Sequence, residues 1–389
     1  MTELGLSIDR TPLGRTGRLW PYWAAVVAAT SLFALTLPPA ASAADAPPIV
    51  TGAVFNDPKG TTEQKNAIKD HITKAIGNTQ SGRLIRASLY ALKDQGYTDA
   101  LVAAHRRGVD IRVVLDASFW DSPATQNLVA ELGTDRTQTS WVTRCTVDAA
   151  CIADGGVNAI NHNKFFTFSR IGNAGEAEDV VIQTSANQTD VNVAKYWNNA
   201  YTIVGNTALY TAYVSYFNDL ASMKKNADYY RSGEAGDVKY YFFPQQTGDV
   251  VVDILENVSC ADGSVVSVSA FALQRDEVVA ALVSLGQQGC TVRIVYNESN
   301  DVAKLAGKKN VQLRQLQSSD GYLVHSKYLL IEGTYAGHTD TKWTFTGSHN
   351  LDFSSLREND EALLRLEGAA PYNAYLHNFT SMFQQATAQ

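Results

Sequence analysis

Two histidine–lysine pairs are the residues best placed to do chemistry. His325 and Lys327 lie in GYLVHSKYLLIEG, residues 321–333, and His162 and Lys164 lie in NHNKFFTF, residues 161–168. In an extended segment, residues two apart share a face. Each pair therefore sets an imidazole beside an ammonium. One supplies proton or covalent chemistry and the other positive charge, a combination suited to a phosphoryl group. A single His-x-Lys is common on wet strands, so the relation between the two copies decides the matter.

That relation is a fixed offset. His162 to His325, Lys164 to Lys327, Ser185 to Ser348 and Asn187 to Asn350 are each separated by 163 residues. Four matched spacings mark a duplicated unit carrying two copies of one site. Asn187, Asn350 and Ser348 add neutral polar groups around the lysines, with no competing negative charge for a tetrahedral phosphate. One histidine can attack phosphorus, and the other can protonate the leaving alcohol and then activate water. The lysines do the charge work, so neither a metal nor a cofactor is expected.

The pairs HNK…TSAN and HSK…GSHN resemble the two H-x-K-x4-D motifs and following G-S/T-x-N turns of the phospholipase D superfamily. The resemblance covers essentially all of the chain after its N-terminal leader. It implies two similar α/β/α halves with mainly parallel or mixed sheets, related by a pseudo-twofold axis, with the site at their interface. It also implies that His162 is the nucleophile and His325 the general acid/base. By the same resemblance Glu361 supports His162 and Asn199 supports His325. Ser169 and Glu332 stand where the family motif has Asp. Seven residues beyond each histidine, they fall on the opposite strand face and read as structural.

The surrounding elements follow the same duplication. Strand–helix–strand order (83–92, 98–107, 110–116) predicts a sheet covered by helices. It returns at 264–273, 277–288 and 291–297 with an offset of 181, as in Ser88 to Ser269 and Gly108 to Gly289. The fall from 181 to 163 means that the first half holds 18 extra residues between Asp116 and His162. They include Phe119, Trp120, Trp141, Cys145 and Cys151. A helix over 206–223 and a polar linker over 224–237 place the boundary near 235. The expected units are a leader (1–43), an N-terminal half (44–235) and a C-terminal half (236–389).

Arg10, Arg15 and Arg18 precede an apolar run from Trp23 to Leu37 and the small residues Ala41-Ser42-Ala43. This pattern predicts a secretory signal peptide cleaved after Ala43, and hence an exported protein. Four cysteines then favour two disulfides. Three pairings exist, of which Cys145–Cys151 and Cys260–Cys290 join the nearest partners. Without residues 1–43 the chain has 29 basic and 37 acidic residues, an unfavourable balance for gripping a nucleic-acid backbone.

Phosphodiester chemistry, export and acidity predict a secreted, monomeric phospholipase D that cleaves glycerophospholipid head groups at a membrane surface. With an alcohol acceptor it would transphosphatidylate. Phe119, Trp120, Trp197, Tyr240, Tyr241 and Tyr322 form a candidate lipid-facing aromatic rim. A secreted phosphodiesterase or nuclease of the same superfamily, and an inactive lipid- or phosphate-binding module, are the alternatives. The motifs leave head-group preference open.

Overall fold

Each half builds its sheet in the same order. The first half supplies β1 (Gly52–Phe55), α1 (Thr62–Gly77), β2 (Leu84–Leu89), α2 (Gln95–Arg106), β3 (Asp110–Leu115), α3 (Pro123–Leu132), β4 (Trp141–Arg144), β5 (Lys164–Ile171), β6 (Ala177–Thr184), α4 (Asp190–Lys195), β7 (Tyr196–Trp197), β8 (Asn199–Ile203) and α5 (Thr207–Ser222). The second supplies β9 (Arg231–Ala235), β10 (Val238–Phe242), α6 (Val250–Glu256), β11 (Val258–Ser259), β12 (Val265–Ala272), α7 (Asp276–Gln288), β13 (Thr291–Glu298), β14 (Val311–Gln315), β15 (Leu323–Val324), β16 (Tyr328–Tyr335), β17 (His338–Gly347), α8 (Phe353–Arg357), β18 (Ala362–Glu367), α9 (Ala369–Gln385) and β19 (Thr387–Ala388). This computed structural model describes residues 49–388 apart from 155, 157–158, 173–176 and 299–300. The leader and its cleavage site lie outside the described residues.

The first sheet runs β1-β8-β6-β5-β2-β3-β4, and the second runs β19-β14-β13-β12-β16-β17-β18-β10-β9 with β11 paired to β16. The matched core is β8-β6-β5-β2-β3-β4 against β18-β17-β16-β12-β13-β14. Within these two sheets the parallel strands are β2-β3-β4 and β12-β13-β14, and β7 and β15 make a further parallel pair between the halves. The strands that follow each His-Lys pair return by antiparallel pairing (β2-β5-β6-β8, β12-β16-β17-β18). The sheets are therefore mixed. Parallel strands need crossover helices, and here α2 and α7 supply them.

The helices begin and end on legible signals. Thr61 and Gln64 form a reciprocal capping box at the start of α1. Gly289 ends α7 at φ 111°, a conformation costly for residues with a Cβ. Of the extra first-half residues, ten form α3, with Ser122 as cap and Pro123 in its first turn. The segment expected as a linker, 224–237, instead contains β9. Its sequence RSGEA is mostly exposed and carries no apolar alternation, so an edge strand there leaves no hydrophobic signal.

Three apolar layers hold these elements. α1 and α2 cover the outer face of the first sheet through Ile68, Ile72, Ile76, Tyr97 and Leu101. α6 and α7 cover the second sheet through Val251, Ile254, Val278 and Leu282. Between the sheets, Tyr213, Tyr216 and Phe217 of α5 join Tyr372, Tyr375 and Phe379 of α9 in one buried cluster. Tyr216 of the first half stacks on Phe242 of the second at 4.1 Å. Two disulfides, Cys145–Cys151 and Cys260–Cys290, pair the nearest cysteines. No helix among the described residues is long and apolar enough to cross a membrane.

Candidate active site

The His-Lys pairs sit at the entrances of their strands. β5 begins at Lys164, and β16 begins at Tyr328, one residue past Lys327. The backbone of each histidine is fastened to the opposite half. The His162 N–H donates to the Asp360 carbonyl at 3.0 Å, and the His325 N–H donates to the Trp197 carbonyl at 2.9 Å. Asp360 and Trp197 are themselves 163 residues apart, so the two attachments are pseudo-equivalent. Each lysine folds back on its own motif: Lys164 Nζ donates to the His162 carbonyl at 2.5 Å, and Lys327 Nζ to the His325 carbonyl at 2.6 Å. All four side chains are buried.

The residue after each attachment orients the imidazole. His162 Nδ1 donates to Glu361 Oε1 at 2.7 Å, and Glu361 Oε2 accepts the Ser348 hydroxyl. His325 Nδ1 donates to the Asn198 Oδ1 at 2.8 Å, and that same oxygen accepts the Ser185 hydroxyl at 3.0 Å. Both contacts place the proton on Nδ1 and leave Nε2 with its lone pair. Gly347 lets the second Ser turn form, because a Cβ there would lie 2.1 Å from the Ala362 carbonyl oxygen.

Asn199 was the residue expected at His325, and the structure replaces it with Asn198. Asn199 turns its amide to Thr346 Oγ1 at 2.7 Å and Tyr375 Oη at 3.0 Å, inside the core between the sheets. One step along a strand reverses the side-chain direction, so only one of the two neighbours can face the site. The 163-residue spacing applied to Glu361 leads to Asn198.

The remaining expected residues divide clearly. Asn187 lines the cleft beside His162 and His325. Asn350 lies with Lys327 and His349 along an adjoining apolar pocket. The side-chain oxygens of Asn187 and Asn350 are buried without a hydrogen-bond partner. Ser348 serves Glu361. Ser169 accepts the Leu84 N–H at 3.0 Å, and Glu332 pairs with Lys342 and Tyr372, both on the back of the fold. Of the candidate rim, Phe119 lines the cleft, Tyr322 lies under Lys195, and Trp197, Tyr241 and most of Tyr240 pack inward.

His162 and His325 open onto one cleft of about 360 Å³, also lined by Tyr90, Lys93, Phe119, Val191, Tyr196 and Phe271. Tyr90 and Phe271 are equivalent under the 181-residue spacing. Each meets the nearby imidazole edge-to-face, at 5.3 and 4.9 Å, and lies under the nearby ammonium, at 5.3 and 5.0 Å. Sequence reasoning placed both on matched strands without assigning them to the site.

Charge differs between the two sides. Burial pushes the Lys164 ammonium down to about 7, and burial with neighbouring Lys164 pushes Lys327 well below the usual lysine range. Burial also lowers both imidazoles, but the Glu361 carboxylate pulls His162 back up, whereas His325 has no carboxylate beside it and is lowered further by Lys327, Lys164 and His162. Burial would raise the Glu361 carboxyl, yet His162 and Lys164 hold it at about 2. A phosphodiester anion between the lysines would restore their protons. Among the described residues, one metal-like group appears, Cys145, Cys151 and Asp360. Its cysteines are bonded to each other, so no thiolate is available to a metal.

Comparison with known proteins bears on the family and the fold. A family model described as cardiolipin synthase, PLD-like domain, matches residues 72–221 and 254–385. The fold is similar to phosphatidylserine synthase from Haemophilus influenzae Rd KW20, with a TM-score of 0.58 and 12% identity over 88% of this chain and 89% of that one. It is also similar to polyphosphate kinase from Porphyromonas gingivalis, with a TM-score of 0.58 and 13% identity over 85% of this chain. The chain spans 50% of that kinase's length. No curated protein sequence gives a significant match.

Proposed function

Because the chain belongs to the phospholipase D-like family, we propose that it is a secreted phospholipase D acting through a phosphohistidine on His162. The carrying observation is the unequal support of the two imidazoles. Glu361 holds a carboxylate on His162, and Asn198 holds a neutral amide on His325. A carboxylate stabilises the positive charge that develops on an attacking imidazole and persists in its phosphorylated form. An amide fixes the tautomer of its partner without that charge, as suits a residue that gives and takes a proton.

In the first step His162 Nε2 attacks phosphorus, the bond to the leaving alkoxide breaks, and protonated His325 delivers its proton to that oxygen. In the second, neutral His325 takes a proton from water as the water oxygen displaces His162. Lys164, Lys327, Asn187 and Asn350 surround the phosphoryl oxygens. An alcohol in place of water gives a transphosphatidylated product.

A lipid substrate is favoured by what surrounds the cleft. Val191, which lines the cleft, and Phe353 are 42% and 61% exposed, and they lie in the first turns of the short helices α4 and α8 that follow Asn187 and Asn350. Exposed apolar groups at the starts of the helices that follow the two Asn turns suit an acyl-chain surface. The net charge of −7 disfavours a polyanionic strand. The test uses the protein lacking residues 1–43, phosphatidylcholine, phosphatidylethanolamine or phosphatidylglycerol vesicles, and DNA, each with chelator. Head-group release lost in His162→Ala supports the proposal. DNA cleavage without lipid turnover would replace it with the nuclease reading, and binding without turnover with the inactive module.

A further inference from the structure

Asp360 is fully buried one residue before Glu361; burial raises its carboxyl to about 7, opposed by backbone hydrogen bonds and by the Lys225 charge, and its side-chain hydrogen bonds all come from backbone. Its oxygens accept from three successive N–H groups: Cys151 at 2.7 Å, Ile152 at 3.1 Å and Ala153 at 2.8 Å. Consecutive N–H groups converging on one anion form a strong, directional cradle. The loop that provides them is closed by the Cys145–Cys151 disulfide. It is pinned from behind as well. Lys225 Nζ donates to the Ala150 and Ala153 carbonyls, and the Asn226 N–H donates to the Ile152 carbonyl at 2.8 Å.

The same residue holds the catalytic segment through its backbone. The Asp360 N–H donates to the Ile160 carbonyl at 3.0 Å, and the Asp360 carbonyl accepts the His162 N–H at 3.0 Å. Asn359 Oδ1 accepts the Ile160 N–H at 3.1 Å. His162 and Glu361, the two ends of the critical 2.7 Å contact, are thus both anchored to Asp360. The second side of the site has only half of this device. Its counterpart, Trp197, offers its carbonyl to His325 but carries an indole. The disulfide loop falls among the first half's extra residues and has no equivalent there.

We propose that Asp360 is a positioning residue for the His162–Glu361 pair and that the Cys145–Cys151 disulfide locks its cradle. This rests on the reading of His162 as nucleophile. Reduction by a dithiol would break the sulfur–sulfur bond, deliver two electrons and two protons to give two thiols, and leave the dithiol as its own disulfide. The freed loop would no longer hold three N–H groups on the carboxylate, and the His162–Glu361 contact would loosen.

The test pairs Asp360→Asn with the double variant Cys145→Ser/Cys151→Ser, which leaves every charge at the site in place. Two readouts are taken: kcat and KM on a soluble phosphodiester, and the His162 imidazole titration followed by NMR. Both variants are expected to lose kcat, by about 10²-fold for Asp360→Asn and about tenfold for the double variant, with KM within about twofold. The His162 pKa is expected to fall in both. Dithiothreitol should inactivate the wild type but not further inactivate the double variant, while Cys260→Ser/Cys290→Ser should respond as wild type does. An unchanged His162 titration in a folded variant overturns the proposal. So does inactivation that follows Cys260–Cys290. The titration needs no substrate, so a wild type that turns over no phosphodiester would refute the proposed function and leave this inference to be decided by NMR. If Asp360→Asn does not fold, the disulfide variant decides it.

Discussion

His162 and His325 are fastened in the same way and oriented by unlike acceptors. Each has its backbone tied across the interface, a lysine folded beneath it, an aromatic edge beside it and an Nδ1 acceptor from the other half. The acceptor is Glu361 in one case and Asn198 in the other. Duplication therefore accounts for the geometry, and one position of the repeat, Glu361 against Asn198, makes the two sides differ. The outer helices diverge likewise. Lys69 of α1 pairs with Asp94 at 2.7 Å, whereas Asp249 at the start of α6 pairs with Arg275 at 3.2 Å. The partners answer one another with their charges exchanged.

The strongest way to break this comparison is to make the two acceptors alike. Glu361→Gln is expected to lower kcat roughly 10²-fold, whereas Asn198→Ala costs about tenfold. Equal losses in steady-state kinetics would remove the distinction between the sides. The pH profile sharpens it. kcat/KM should rise with pH as His162 deprotonates, below the ordinary imidazole value because burial lowers its pKa. It should fall as His325, the proton donor, which burial and Lys327 hold well below the ordinary imidazole value, loses its proton, and fall further near 7, where Lys164 does. Glu361→Gln removes the group that raises His162, so the acid limb should move to still lower pH. A limb that stays in place contradicts the assigned pair.

Two smaller effects separate the halves away from the chemistry. Asp249→Ala leaves Arg275, which is 4% exposed, without its carboxylate and removes the α6 cap. About 3 kcal/mol is expected from denaturant unfolding. Asp94→Ala frees Lys69, whose side chain reaches solvent, and removes the α2 cap, and about 2 kcal/mol is expected. Reversal of that order would show that the pairs are not equivalent. Glu332→Ala should change kcat by less than about twofold, since its contacts are Lys342 and Tyr372. A larger loss would return the motif position to the active site.

The parts of this site that were legible in the sequence were those written twice. His162, Lys164, Asn187 and their partners stand at one fixed spacing, and the matched strand and helix signals located the sheets that carry them. Glu361 was reached by resemblance, but its counterpart was set one residue off. In a strand such a slip changes the face and hence the neighbours. Asp360 was out of reach for a different reason. Its cradle comes from a loop more than 200 residues earlier that has no copy in the second half, so neither periodicity nor duplication marks it. Tyr90 and Phe271 were hidden because aromatic residues on matched strands read equally well as core.

In the proposed reaction His162 carries the phosphoryl group and His325 moves the proton. Incubation of His325→Ala with a phosphodiester bearing a good leaving group, then acid-free quenching and peptide mass spectrometry, tests it directly. A good leaving group departs without a proton, while the absence of His325 slows attack by water. The account predicts a stable phosphorylated adduct on His162 in His325→Ala and none on His325 in His162→Ala. An adduct on His325 in the second variant, with His162 unmodified in the first, would contradict it.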